Sequence, residues 1–195
     1  MKADPHPKDG LPIVAFAGAA DFQAWLERHR DRPGAWLKLA RKGSGIASVT
    51  YAAALDIALC YGWIDGQTGK LDDAWTLRRF TPRRSRSRWS QINCKRAEEL
   101  AAEGKMQARG LREMDAAKSD GRWDAAYAPA RTITAPEDFL EALKAHPEAQ
   151  RFFEQISAQN RYAVLYRIQD AKKPETRVRR IGKFVAMLQE GKTLH

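Results

Sequence analysis

At 195 residues and 22.0 kDa, with 44% hydrophobic residues, the chain is long enough to bury one large core or two small ones. A formal charge of +10 and a sequence pI near 9.8 favour acidic partners such as nucleic acid, nucleotides or an anionic surface, and they argue against a partner that is itself strongly cationic. Two cysteines, Cys60 and Cys94, lack CxxC-type spacing, which excludes a disulfide framework and a zinc site and points to free buried thiols.

Residues 1–12 hold three prolines among alternating charges and read as a disordered lead-in. The apolar run Ile13 to Ala20 ends in small residues like a signal peptide. Pro12 interrupts its start and Asp4 and Asp9 accompany the lysines before it, so it reads as a short buried strand in a cytoplasmic protein. No run reaches the roughly 18 apolar residues that a membrane-crossing helix needs.

Phe22, Trp25, Leu26 and His29 recur at helical spacing, predicting an amphipathic helix over 21–30 that ends before Pro33 and Gly34. The stretch 35–41, AWLKLAR, alternates as a half-buried strand, with Leu37 and Leu39 on one face and Trp36 and Lys38 on the other. The following KGSG is a glycine turn, because a P-loop would need GxxxxGK[ST] between a strand and a helix. Thr50 caps a helix over 51–61 that Gly62 terminates. Residues 63–81 then form a hairpin, ended by Pro82.

Between Asp73 and Glu98 there is no carboxylate, while Arg78, Arg79, Arg83, Arg84, Arg86 and Arg88 alternate with Trp75, Phe80 and Trp89. Guanidinium groups bind phosphate or carboxylate in a bidentate fork, and a loop entering a helix adds free backbone amides. Ser85 and Ser87 are candidate caps for a helix carrying Trp89, Ile92, Arg96 and Leu100, which places Trp89 and Asn93 on one face. The predicted anion site therefore comprises the six arginines with Ser87, Trp89, Ser90 and Asn93. The bland alternative is a core Trp89 with a solvated arginine rim. A possible pocket of Lys38, Trp63 and Asp65 is the alternative for acid-base chemistry, although an Asp in a WIDG turn more often shapes the backbone. The four histidines lack ligand spacing, so no metal and no cofactor is expected.

A helix over 108–119 carries Leu111, Met114 and Ala117 inward, and Trp123 closes the first unit, 13–123, against its core. Residues 124–135 read as a linker. Residues 136–195 read as four short helices, the first started by a capping box of Thr134 followed by Pro136 and Glu137 and the others opened by Pro147, Ser157 and Pro174, packed as a bundle that offers a possible protein-binding face. The fold class is α+β: a small antiparallel sheet covered by helices, then a helical module.

The blocks WLKLARKGSG, VTYAAALDIALCYGWIDG, RRFTPRRSRSRWSQIN and NRYAVLYRIQDAKKPETRVRRIGKFVAML resemble the bacterial YdeI/OmpD-associated family, whose members are often labelled bacteriocin-protection proteins. The resemblance runs from about Phe16 to Lys192 and implies a stress-related role with no assigned catalytic residue. Ala52 and Ala53 stand where members commonly carry acids, and Gln107 and Ala108 replace a Thr-Pro cap. Both departures touch helix starts and leave the predicted site intact.

Overall fold

The computed structural model describes residues 4–195, which form an α+β fold of two compact units. The first comprises, among the described residues, 4–89 and Asn93–Ala125, the second Ser90–Ile92 and Ala126–His195.

The first unit is built on a four-stranded sheet of β1 (Ile13–Ala15), β2 (Ala35–Ala40), β3 (Trp63–Lys70) and β4 (Trp75–Pro82), in the order β1-β2-β4-β3. The β2-β4 and β3-β4 pairs are antiparallel, as expected, but β1 joins β2 in parallel, so the sheet is mixed. Helix α1 (Ala19–His29) makes this possible, because two parallel neighbours need a crossover rather than a tight turn. Pro82 ends β4 from inside the strand, paired with Trp63 on the outer strand β3.

One face of the sheet packs against α1 and α2 (Tyr51–Cys60), burying Phe22, Leu26, Leu37, Leu59, Trp63 and Phe80. Phe22 touches Phe80 and Trp25 meets Trp63 edge-on, so aromatic contacts tie α1 to the strands beneath. Thr50 caps α2 by accepting from the Ala53 N–H at 3.2 Å.

The opposite face carries a second, smaller cluster of Leu11, Trp36 and Leu77. The segment before β1, expected to be disordered, folds back to build it. His6 stacks on the Trp36 ring, Leu11 is buried, Pro5 bridges Pro12, and Asp9 accepts from the Trp36 indole at 3.0 Å. The indole needed both a cover and a hydrogen-bond partner, and the lead-in supplies them. The part of that expectation falling on residues 1–3 lies outside the described residues.

Helix α3 (Gln91–Ala102) starts later than its apolar spacing suggested. Its buried face is Asn93, Cys94, Ala97 and Leu100, and Ile92 is 57% exposed. Helix α4 (Ala108–Ser119) buries Gly110, Met114 and Ala117, and Leu111 faces out. It crosses the end of α2 at Gly110, where backbone carbonyls leave no room for a Cβ.

In the second unit α5 (Glu137–Lys144), α6 (Pro147–Gln155), α7 (Ala158–Gln169) and α8 (Pro174–Gln189) enclose a core that includes Phe139, Leu143, Phe153, Ile168, Phe184 and Leu188. Each helix presents one apolar stripe, too narrow to stabilise it alone, and the stripes converge. Among the described residues no helix is long and apolar enough to cross a membrane.

Candidate functional site

The arginine-aromatic block spans β4, the loop after it and the start of α3, and folding divides it. Successive strand residues face opposite sides of a sheet, so Arg78 and Arg79 separate at once. Arg78 lies over the Tyr51 ring, 4.6 Å from its centroid, and 3.5 Å from the Asp65 carboxylate, which also accepts from the Tyr51 hydroxyl at 2.8 Å. On the other face Arg79 Nε donates to Asp9 at 2.8 Å. Burial raises the Asp9 pKa, but the hydrogen bonds from Arg79 and Trp36 outweigh it and hold the carboxyl below its ordinary value.

Arg83 turns inward. It is 4% exposed, its guanidinium lies 3.4 Å from the centroid of the Trp89 ring, and Nη1 donates to the Arg88 carbonyl at 3.1 Å. Trp89 is 1% exposed and its other neighbour is Trp123, 4.8 Å between centroids. An indole so enclosed has no face left for a ligand ring. Trp89 precedes α3 rather than riding on it, which removes the predicted helical pairing with Asn93. Ser90 and Asn93 are both buried, and Arg88 is half-buried.

The amides expected to cradle an anion are partly spent. The Ser87 N–H donates to the Arg84 carbonyl at 2.8 Å, the Ser87 hydroxyl accepts from the Arg84 N–H at 2.8 Å, and the Gln91 N–H donates to the Tyr127 carbonyl at 3.0 Å. Ser87 therefore closes a turn instead of capping a helix. Arg122, pinned by Asp120, braces that turn through the Ser87 carbonyl at 3.0 Å. Arg84 and Arg86 stand exposed on this turn, and neither has a carboxylate within ion-pair distance among the described residues.

The second predicted grouping does not assemble. Asp65 pairs with Phe80 on the helix-covered face, while Lys38 pairs with Leu77 on the opposite one. Trp63 is fully buried on the same face as Asp65, against Trp25 of α1, and its Nε1 has no hydrogen-bond partner among the described residues. Asp65 ties β3 to α2 and β4 through the Tyr51 hydroxyl and Arg78 rather than through backbone bonds of its own turn, and Lys38 belongs to a groove at the other edge of the sheet.

Neither thiol is poised for reaction. Desolvation by burial pushes both Cys60 and Cys94 up to about 11, so each stays protonated at neutral pH. Among the described residues no three His, Cys, Asp or Glu side chains are grouped to hold a metal ion.

One interaction that sequence reading missed is the fork between α3 and α2. Arg96 donates to Asp56 through Nε at 2.8 Å and Nη2 at 2.7 Å, and to Glu99 through Nη1 at 2.7 Å. Only the i, i+3 pair with Glu99 was visible in the order of residues. Asp56 lies forty residues away.

Residues 14–113 match a family described as a domain of unknown function (DUF8412), and residues 132–191 match the family described as Bacteriocin-protection, YdeI or OmpD-Associated. The GWIDG and RFTPRR blocks fall in the first of these stretches, and the NRYAVLYRIQDAKKPETRVRRIGKFVAML block in the second. No curated protein and no solved structure matches the chain. The sheet-bearing unit and the helical unit thus carry different family signatures: residues 132–191 are similar to the YdeI/OmpD-associated family, and the chain belongs to the DUF8412 family.

Proposed function

We propose that this is a non-enzymatic protein of the bacteriocin-protection type that works in the cytoplasm by binding an anionic polymer, single-stranded nucleic acid, through the turn of Arg84 and Arg86. The observation that carries this reading is that these two guanidinium groups are exposed, held on a Ser87-closed turn, and left without an acidic partner among the described residues. Three of the other four arginines of the block, Arg78, Arg79 and Arg83, serve as internal ties, so the contact surface is smaller than the arginine count suggests. A net charge of +10 supplies the long-range attraction. It also disfavours direct capture of a cationic antimicrobial peptide, so protection would act through an acidic partner. Two buried, unpaired thiols fit a reducing compartment.

Binding to a fluorescent oligothymidylate, followed by anisotropy across a salt series, tests this. Each phosphate contact contributes about 0.7 to the slope of log affinity against log salt for a single strand, so Arg84→Ala with Arg86→Ala should flatten the slope by about 1.4. Salt-insensitive binding, or a double variant with an unchanged slope, refutes the reading.

A further inference from the structure

A cavity of about 830 Å³ runs along the outer edge of β1, the terminal strand of the sheet. Its floor is a backbone with open hydrogen-bonding groups. The Trp36 N–H donates to the Pro12 carbonyl at 2.9 Å, so Pro12 and Val14 turn their polar groups toward β2 while Ile13 and Ala15 turn theirs outward. The Ile13 N–H is taken by the Asp4 carbonyl at 2.9 Å. The Ala15 N–H and C=O, on an exposed residue, have no partner among the described residues.

Cations line the walls. Lys38 lies opposite Ala15 in the β1-β2 register, and Arg28 and Arg32 come from α1 and the turn after it. None of the three has a carboxylate within ion-pair distance among the described residues, although Asp4 and Asp21 also border the cavity. Asp21 is committed to the Gly18 N–H at the start of α1. Arg28 is held from behind, its Nε donating to the Ala24 carbonyl at 3.1 Å.

His29 stacks face to face on Trp25, with ring centroids 4.7 Å apart, so a further ring can lie only against a side turned away from the pair. His29 Nδ1 lies 2.8 Å from the Trp25 carbonyl, and since a carbonyl only accepts, Nδ1 carries the proton and Nε2 of the neutral ring is left to accept.

A lone phosphate would leave most of this space empty, whereas organic ligands occupy cavities of about 300–1,000 Å³. We propose that the groove binds a small organic anion, a phosphate or carboxylate head on a planar body. The head would be held by the Ala15 N–H, Lys38, Arg28 and Arg32, and the body laid against an outer side of the stacked Trp25 and His29. The site is separate from the Arg84-Arg86 turn and stands or falls without it.

The test is a titration of the ¹⁵N-labelled full chain with adenosine 5′-monophosphate, with adenosine and inorganic phosphate as component probes. The expected result is a saturable shift of the Ala15 amide, with the nucleotide binding at least tenfold more tightly than either component. Lys38→Met, and separately Arg28→Gln with Arg32→Gln, should weaken it at least tenfold with the rest of the spectrum intact. Arg84→Ala with Arg86→Ala should leave it unchanged, which keeps failure here distinct from failure of the nucleic-acid reading. Shifts confined to residues 84–88, or inorganic phosphate binding as tightly as the nucleotide, overturn the proposal. So does an acidic hexapeptide that moves residues 13–17 where the nucleotide does not, since that would make the edge a strand-docking surface.

Discussion

Gly110 shows how far a single residue can be fixed by what lies across from it. A Cβ there would sit 2.8 Å from the Leu59 carbonyl oxygen and closer still to that of Cys60, both backbone atoms at the end of a packed helix. Intrinsic propensity favours alanine over glycine in a helix by about 1 kcal/mol, whereas overpacking of this kind costs about 1–3 kcal/mol. The steric term wins, so Gly110→Ala should lower the urea midpoint of the first unit, read by tryptophan emission, without changing the slope of the transition. A raised midpoint would mean that α4 can move away from α2 at little cost.

Among the helices, the tie between α5 and α8 has a pH signature. Arg177 donates to Asp138 through Nε at 2.5 Å and Nη2 at 2.8 Å, and this holds the Asp138 carboxyl below its ordinary value. Because the folded pKa is depressed, the stabilisation is present above the unfolded value of about 3.9 and disappears as pH falls through the folded one. Both groups are partly exposed, so the contribution is at most about 1 kcal/mol after solvent screening. The urea stability of the wild-type helices, followed by far-ultraviolet circular dichroism, should drop on acidification below about pH 4. Asp138→Asn should be less stable at pH 7 and lose less between pH 5 and 3; identical acid profiles would show that the pair contributes nothing.

For the whole molecule, all six tryptophans lie in the first unit, while the second has a core of its own centred on Phe139. That ring is fully buried and meets Phe153 edge to face, 5.3 Å between centroids. Phe139→Ala should cost about 3–5 kcal/mol, much of what a unit of this size possesses. The dichroism transition of the helices should move to lower urea while the tryptophan emission transition stays in place. An equal shift of both would show that the two cores unfold as one.

Much of this architecture follows from local chemistry legible in the order of residues. The 3.6-residue recurrence of apolar side chains, Thr50 and Ser157 as caps, Pro147 and Pro174 at helix starts, and Gly62 at φ +70° depend on neighbours a few positions apart. The chain alone therefore places α2 and α4 nearly to the residue, and the starts of α6 to α8. The arginine block is different, because Coulomb attraction acts over a few ångströms of space regardless of separation along the chain. The stretch between Asp73 and Glu98 contains no acid, yet folding brings Asp65 to Arg78, Asp9 to Arg79 and Asp56 to Arg96, and encloses Trp89 between Arg83 and Trp123. The same is true of the β1 groove, whose open amide exists only because α1 carries the chain over and sets β1 parallel to β2 at the sheet edge. Composition determined that the protein would attract negative charge; tertiary structure alone decided which cations remain available to meet it, since a neighbour in space leaves no trace in local sequence.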